Sequence, residues 1–84
     1  MPVHSPDRYL TKVVDEFASE ANATFESRKR LWQMFVLVYE LSSDPEPWID
    51  KLLDIAGSTG MRQRDIQTTL VSALRRARQS GAVA

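Results

Sequence analysis

The stretch LWQMFVLVYEL, residues 31–41, decides the fold class of this chain. Nine of its eleven residues are apolar, and on a helix they cover the whole circumference, which is typical of a helix buried on every side. A helix that spans a membrane needs about 20 apolar residues, so this run is too short to do so. The pattern therefore predicts the central helix of a packed core, with no membrane contact.

The segment before this run predicts two helix starts. Ser5 and Pro6 supply an N-cap and a proline for the first helical position. Apolar residues then recur at spacings of three and four, namely Leu10, Val13, Val14, Phe17, Ala18 and Ala21. We predict a first helix over residues 6–22 and, with Thr24 as its N-cap, a second helix over residues 24–42.

The segment after the run contains two turns and two further helices. SSDPEP, residues 42–47, is a turn by composition, because residues that precede prolines are biased away from helix. A short third helix over residues 46–57 follows, and the GSTG sequence of residues 57–60 ends it. A fourth helix is predicted over residues 61–79, with Gly81 as its C-terminal glycine.

These segments predict an all-α fold, a compact bundle of about four helices. Residues 1–84 are enough for one core only, so they form a single helical domain. The chain has no cysteine, which excludes disulfides and thiolate metal sites. Nothing at the N-terminus resembles a targeting segment, so we expect a cytoplasmic location.

Few residues are suited to catalysis. His4 is the only histidine and lies near the N-terminus, and the sequence contains no motif for a nucleophile, a metal or a phosphate loop. Two acidic pairs could in principle bind a cation, but such pairs on exposed helix faces usually only aid solubility; they are Asp15-Glu16 and Asp50-Asp54. We expect no enzymatic activity, no catalytic residues, no metal site and no cofactor.

Two tryptophans, Trp32 and Trp48, have two interpretations. Exposed aromatic side chains can stack on unpaired bases or anchor a protein partner. In a small bundle they more often close the ends of the core, because large aromatic side chains dominate burial. We favour the second interpretation.

Charge is distributed unevenly although the net charge is zero. Residues 1–60 carry six Lys or Arg against ten Asp or Glu (6 − 10 = −4), whereas residues 61–84 carry five against one (5 − 1 = +4). A basic end favours an anionic partner. It could equally pair with the acidic remainder of the same chain or of a second subunit, which would form a homodimer.

The fourth helix has two opposite faces. Its predicted apolar stripe consists of Ile66, Leu70, Ala73, Leu74 and Ala77. The opposite face consists of Arg64, Thr68, Val71, Arg75 and Arg78. Arg75, Arg76 and Arg78 also lie where cations stabilise the C-terminal end of a helix without any partner. That effect does not account for Arg62 and Arg64 near the start of the helix.

A helix-turn-helix template accounts for these two arginines. With Ala56 as its small residue and Gly60 as its turn glycine, the last two helices have the spacing of this motif. The base-reading positions then become Arg62, Gln63, Arg64, Gln67 and Thr68, which are residue types that bind bases and phosphates well. Gly57, Thr59 and Thr69 depart from the template.

Residues 60–81, GMRQRDIQTTLVSALRRARQSG, also resemble the closing helix of the C-terminal helical domain of plasmid and phage primases and primase-polymerases. The likeness covers about a quarter of the chain and rests on Gly60-Met61, Arg64-Asp65, Thr69, Ser72, Ala73-Leu74-Arg75 and Gly81. The catalytic primase domain has no counterpart here. The resemblance implies a stand-alone helical accessory that contacts template or a replication partner.

Two functional hypotheses follow. The first is a non-enzymatic helical module from a mobile element that binds nucleic acid, or a replication or transcription complex, through Arg62, Gln63, Arg64, Gln67, Thr68, Arg75 and Arg78. The second is a protein-interaction module, such as an adaptor, an inhibitor or a self-associating bundle. Zero net charge and the apolar Val71 within the basic face favour the second hypothesis.

Overall fold

The structure is a computed structural model, and it describes residues 6–79. Over this range the chain forms no strand and four α-helices, which confirms the predicted all-α bundle: α1 (Pro6–Glu20), α2 (Phe25–Leu41), α3 (Glu46–Ser58) and α4 (Gln63–Gln79). The predictions for His4, Ser5 and Gly81 lie outside the described residues. Among residues 6–79, no helix combines the length and the apolar character that crossing a bilayer requires.

The corner between α1 and α2 corrects two predicted boundaries. Helix α1 ends at Glu20, two residues early, and the backbone N–H of Asn22 donates to Ser27 Oγ at 3.0 Å. The Ser27 hydroxyl donates in turn to Asn22 Oδ1 at 2.9 Å. Thr24 is the N-cap of α2, as predicted, since its hydroxyl accepts the backbone N–H of Ser27 at 3.3 Å. Helix α2 therefore begins one residue later than predicted.

The C-terminal ends of α2 and α3 each differ by one residue from the predicted ends. Helix α2 ends at Leu41, because Ser42 is its C-cap and has an extended backbone. Helix α3 extends to Ser58, whose hydroxyl donates to the carbonyl of Ile55 at 2.8 Å. Its N-terminal end agrees with the prediction, since Pro45 is the N-cap.

The turn between α3 and α4 contains one left-handed residue. Gly60 has a φ of 89°, a conformation that favours glycine. Met61 follows it and is buried in the core although it lies outside any helix. The turn at Gly60 extends through residue 62, so α4 begins at Gln63, two residues later than predicted. The spacing that matches a helix-turn-helix thus coincides with a tight turn, but the main packing partner of α4 is α2 and not α3.

Helix α2 lies at the centre of the bundle, as predicted, and contacts each of the other three helices. The core consists of Leu10, Val14, Phe17, Leu31, Phe35, Val38, Ile49, Leu52, Ala56, Met61, Ile66 and Ala73. Ala18 is exposed, contrary to the predicted stripe, because only one edge of α1 packs against the bundle. The predicted apolar stripe of α4 is buried or half-buried over its whole length.

Helices α2 and α4 run in the same direction. Arg28 Nη1 lies 3.3 Å from Asp65 Oδ2, and the indole N–H of Trp32 donates to Ser72 Oγ at 3.1 Å. Further along both helices, Arg78 lies close enough to Tyr39 to lower the pKa of its phenol. Because the residue numbers rise together on the two helices, the pair is parallel, and at ~1.5 Å per residue the contacts extend over roughly 16 to 20 Å. This pairing places the start of α2 beside the predicted site on α4.

Candidate nucleic-acid interface

The basic face of α4 is exposed and its positive charge is not neutralised. All five arginines that follow Gly60 are exposed, namely Arg62, Arg64, Arg75, Arg76 and Arg78. Within residues 8–79, none of them lies within 4.0 Å of a carboxylate. Asp65, the single acid of this helix, pairs with Arg28 instead. Within the described part of the chain, the arginines therefore do not form ion pairs with its acidic remainder.

The structure exposes every residue of the predicted site but does not bring them all together. Arg62, Gln63 and Arg64 lie at the N-terminal end of α4. A second group, near the middle and the end of the helix, lines a groove beside α2 and consists of Gln67, Thr68 and Arg75. Arg78 belongs to neither group, and its charge acts on Tyr39, where it lowers the pKa of the phenol. The predicted site therefore divides into an N-terminal cluster, a groove wall and one separate arginine.

The groove has two connected parts, which we call together the α2–α4 groove. The larger part, of about 660 Å³, is lined by Trp32, Gln67, Thr68, Val71, Ser72, Arg75, Arg76 and Gln79. The smaller part, of about 330 Å³, is lined by Phe25, Arg28, Lys29, Trp32, Thr68, Thr69 and Ser72. Trp32, Thr68 and Ser72 belong to both. Both volumes fall in the range of roughly 300 to 1,000 Å³ that ligand clefts usually have.

Charge within the α2–α4 groove has one sign. Lys29 contributes from α2, and Arg75 and Arg76 contribute from α4. Arg28 also lines the groove, but it is paired with Asp65. No described residue that lines the groove is acidic. Low-dielectric walls with charges of one sign concentrate the electrostatic potential in a cleft. The groove is therefore suited to an anion with several charges along its length.

The two tryptophans pack against the core, as predicted, and Trp32 also lines the α2–α4 groove. Both are half-buried and contact the core. The Trp48 ring lies below the ammonium of Lys51, 5.9 Å from its centroid. Trp32 also forms part of the groove wall, where its hydrogen bond to Ser72 fixes the ring. Trp32 thus closes the core and faces the groove.

Sequence reasoning missed the contribution of α2 to this surface. No role was predicted for Phe25, Arg28 or Lys29, and Ser72 was named only in the resemblance of residues 60–81. In the structure Phe25 is 67% exposed at the first position of α2, and the guanidinium of Arg28 lies 5.7 Å from its ring centroid. The sequence signal that could have indicated this surface is an aromatic residue at the start of a helix followed by basic residues. Helical periodicity alone does not show which other helix lies beside these residues.

The exposed side chains of α4 supply groups that bind phosphates and bases. Guanidinium groups bind phosphate oxygens with two parallel hydrogen bonds, and glutamine side chains pair with the edge of adenine. The Thr68 hydroxyl already donates to the carbonyl of Arg64 at 2.9 Å, so its donor is used within the helix.

In comparisons with known proteins, no protein-family model, no curated protein and no solved structure matches this chain.

Proposed function

We propose that this protein is a small non-enzymatic helical module that binds nucleic acid through α4 and the adjoining α2–α4 groove. The observation that carries the proposal is the absence, within residues 8–79, of any carboxylate partner for the five exposed arginines of residues 61–79. Exposed arginines repel one another, and a phosphate backbone relieves this repulsion. Within α4 the arginines extend from Arg64 to Arg78, a rise of 14 residues or about 21 Å of helix, which is enough for several phosphates.

The resemblance to primase helical domains suggests where such a module acts. It involves residues 60–81, a stretch that includes α4, and implies contact with template or with a replication partner. We accordingly propose a replication or transcription complex of a plasmid, a phage or a similar mobile element as its setting, with the cytoplasm as its location.

The test is fluorescence anisotropy of labelled single-stranded and duplex DNA, titrated with the protein at several salt concentrations. We expect binding that weakens steadily as salt rises. The logarithm of the association constant should fall with the logarithm of the salt concentration, with a slope of about 0.7 to 0.9 for each phosphate contacted. Arg64→Ala and Arg75→Ala should each weaken binding and lower the slope by about one contact. Arg8→Ala, which removes an exposed arginine of α1, is the matched control and should change neither. A wild-type protein that binds no DNA at low salt would sink the proposal.

A second candidate function is a protein interface on the same face. Val71 is 50% exposed between the arginines, and an exposed apolar side chain suits a protein partner. If this candidate is correct, the wild type sediments as an oligomer or a complex, Val71→Asp dissociates it, and Arg64→Ala does not. Under the nucleic-acid proposal, Val71→Asp leaves sedimentation unchanged and weakens DNA binding by adding a negative charge.

A further inference from the structure

We infer that the α2–α4 groove binds single-stranded nucleic acid, with unpaired bases stacked on Phe25 and Trp32 and the backbone held by the flanking cations. This inference rests on the proposed function and specifies its ligand. Two aromatic side chains, four cations and no acid line one continuous groove. Proteins that bind single strands without sequence preference combine these features, an aromatic platform and a basic channel.

The two aromatic residues lie on one face of α2. They are seven residues apart, which is close to two full helical turns, or about 10 Å along the axis. This distance corresponds to about three stacked nucleotides at ~3.4 Å for each nucleotide of a strand. The smaller part of the groove contains both rings, so the volume between them is open to a ligand.

The groove is organised before any ligand binds. The Trp32 ring is fixed on its inner side by the core and at its nitrogen by Ser72. Arg28 is held between Asp65 and the Phe25 ring. Groups that are already ordered lose little conformational entropy on binding. Lys29, Arg75 and Arg76 have no carboxylate partner among the described residues and remain available for phosphates.

A single strand fits this surface better than a duplex does. In a duplex the base faces are stacked inside the helix, so Phe25 and Trp32 could not reach them. The net charge of zero also limits how tightly phosphates alone can hold the protein. Stacking provides a contribution that salt does not screen.

The test compares three labelled ligands of equal length by anisotropy at several salt concentrations: a single-stranded oligothymidylate, the same backbone without bases, and a duplex. We expect the dissociation constant of the oligothymidylate to be lower than that of either other ligand by about fivefold or more, since one stacked base contributes roughly 1–3 kcal/mol. Equal binding of the abasic strand, or tighter binding of the duplex, overturns this inference but leaves the proposed function in place. Absence of binding to all three overturns both.

Matched variants locate the contact. Phe25→Ala removes an exposed side chain and should weaken oligothymidylate binding about fivefold or more without affecting the abasic strand. Tyr9→Ala removes a 50% exposed aromatic side chain of α1 and should have no effect. In a Trp48→Phe background, Trp32 is the only fluorophore of its kind, and oligothymidylate should quench it. Unchanged fluorescence together with full affinity of Phe25→Ala, or equally tight binding of polyglutamate, overturns the inference.

Discussion

The guanidinium of Arg28 lies 3.3 Å from the carboxylate of Asp65, and this ion pair joins the start of α2 to the first turn of α4. It neutralises the one acid of α4 with a cation from another helix. The arginines of α4 consequently keep their full positive charge. The pair also brings the basic start of α2 beside the groove.

Asp65→Asn should have little effect on stability and a clear effect on binding. Both side chains of the pair are 37% exposed, and ion pairs of this kind contribute less than about 1 kcal/mol. The substitution releases Arg28, so we expect tighter DNA binding at low salt and a smaller difference at high salt. Urea unfolding and anisotropy measure the two effects. Asp50→Asn removes the same charge from an exposed position of α3 and is the control; equal effects of both variants would contradict a local role for the pair.

Two glycines should respond to alanine in opposite directions. Gly60 has a φ of 89°, so Gly60→Ala should lower the free energy of unfolding by about 1–2 kcal/mol through backbone strain, although a Cβ there would meet no atom within 4 Å. Gly57 lies within α3 and is also open, so Gly57→Ala should raise the free energy of unfolding by roughly 0.5–1 kcal/mol. Chemical denaturation tests both, and a stabilising Gly60→Ala would refute the left-handed turn.

Ser27→Ala should destabilise the corner between α1 and α2. Ser27 is only 5% exposed, and its hydroxyl both accepts from and donates to Asn22. Removing it leaves the buried side of this corner without two hydrogen bonds, and we expect a loss of about 1–3 kcal/mol. Ser19→Ala is the control, because that exposed hydroxyl bonds only to a carbonyl of its own helix. Equal thermal stability of the two variants would contradict this account.

The pKa of Tyr39 should report the position of Arg78. Burial raises the pKa of the Tyr39 phenol, and the charge of Arg78 lowers it in part. Arg78→Gln should therefore raise this pKa further, which spectrophotometric titration can follow in a Tyr9→Phe background with Tyr39 as the remaining tyrosine. A pKa that is raised on folding favours the neutral phenol in the folded state. The contribution of this group to the free energy of unfolding is therefore fully present below the pKa of the unfolded state, about 10. It is lost as pH rises through the pKa of the folded state. A lower Tyr39 pKa in Arg78→Gln would contradict this electrostatic effect of Arg78.

Local patterns in the sequence were sufficient for the helices. The spacing of apolar residues, the cap at Thr24 and the prolines around residue 46 each depend on neighbours within one or two turns. The same holds for the exposed side of α4, where periodicity alone placed Arg64 and Val71 in water. The end of α1 was misplaced because a side chain five residues away, that of Ser27, bonds to Asn22.

Which helices pack against each other could not be predicted from such local patterns. Periodicity gives the face that a helix buries but not the helix that covers it, so nothing local placed Trp32 beside Ser72. Phe25 and Lys29 were missed for this reason. Arg78 was grouped with Arg75 on a helical wheel, although in the structure Arg75 lines the α2–α4 groove and Arg78 does not. A helical wheel describes an isolated helix, and a site between helices depends on the packing.

The parallel pairing of α2 with α4 also has a kinetic consequence. The contact between Trp32 and Ser72 joins residues 40 positions apart, so a long loop must close before it can form. The hairpin of α1 and α2 needs no such closure. We expect docking of α4 to be the slow step of folding, during which one flank of the central helix remains exposed to aggregation. Since the two walls of the groove meet only in this step, the groove is absent from any partly folded chain in which α4 has not docked on α2.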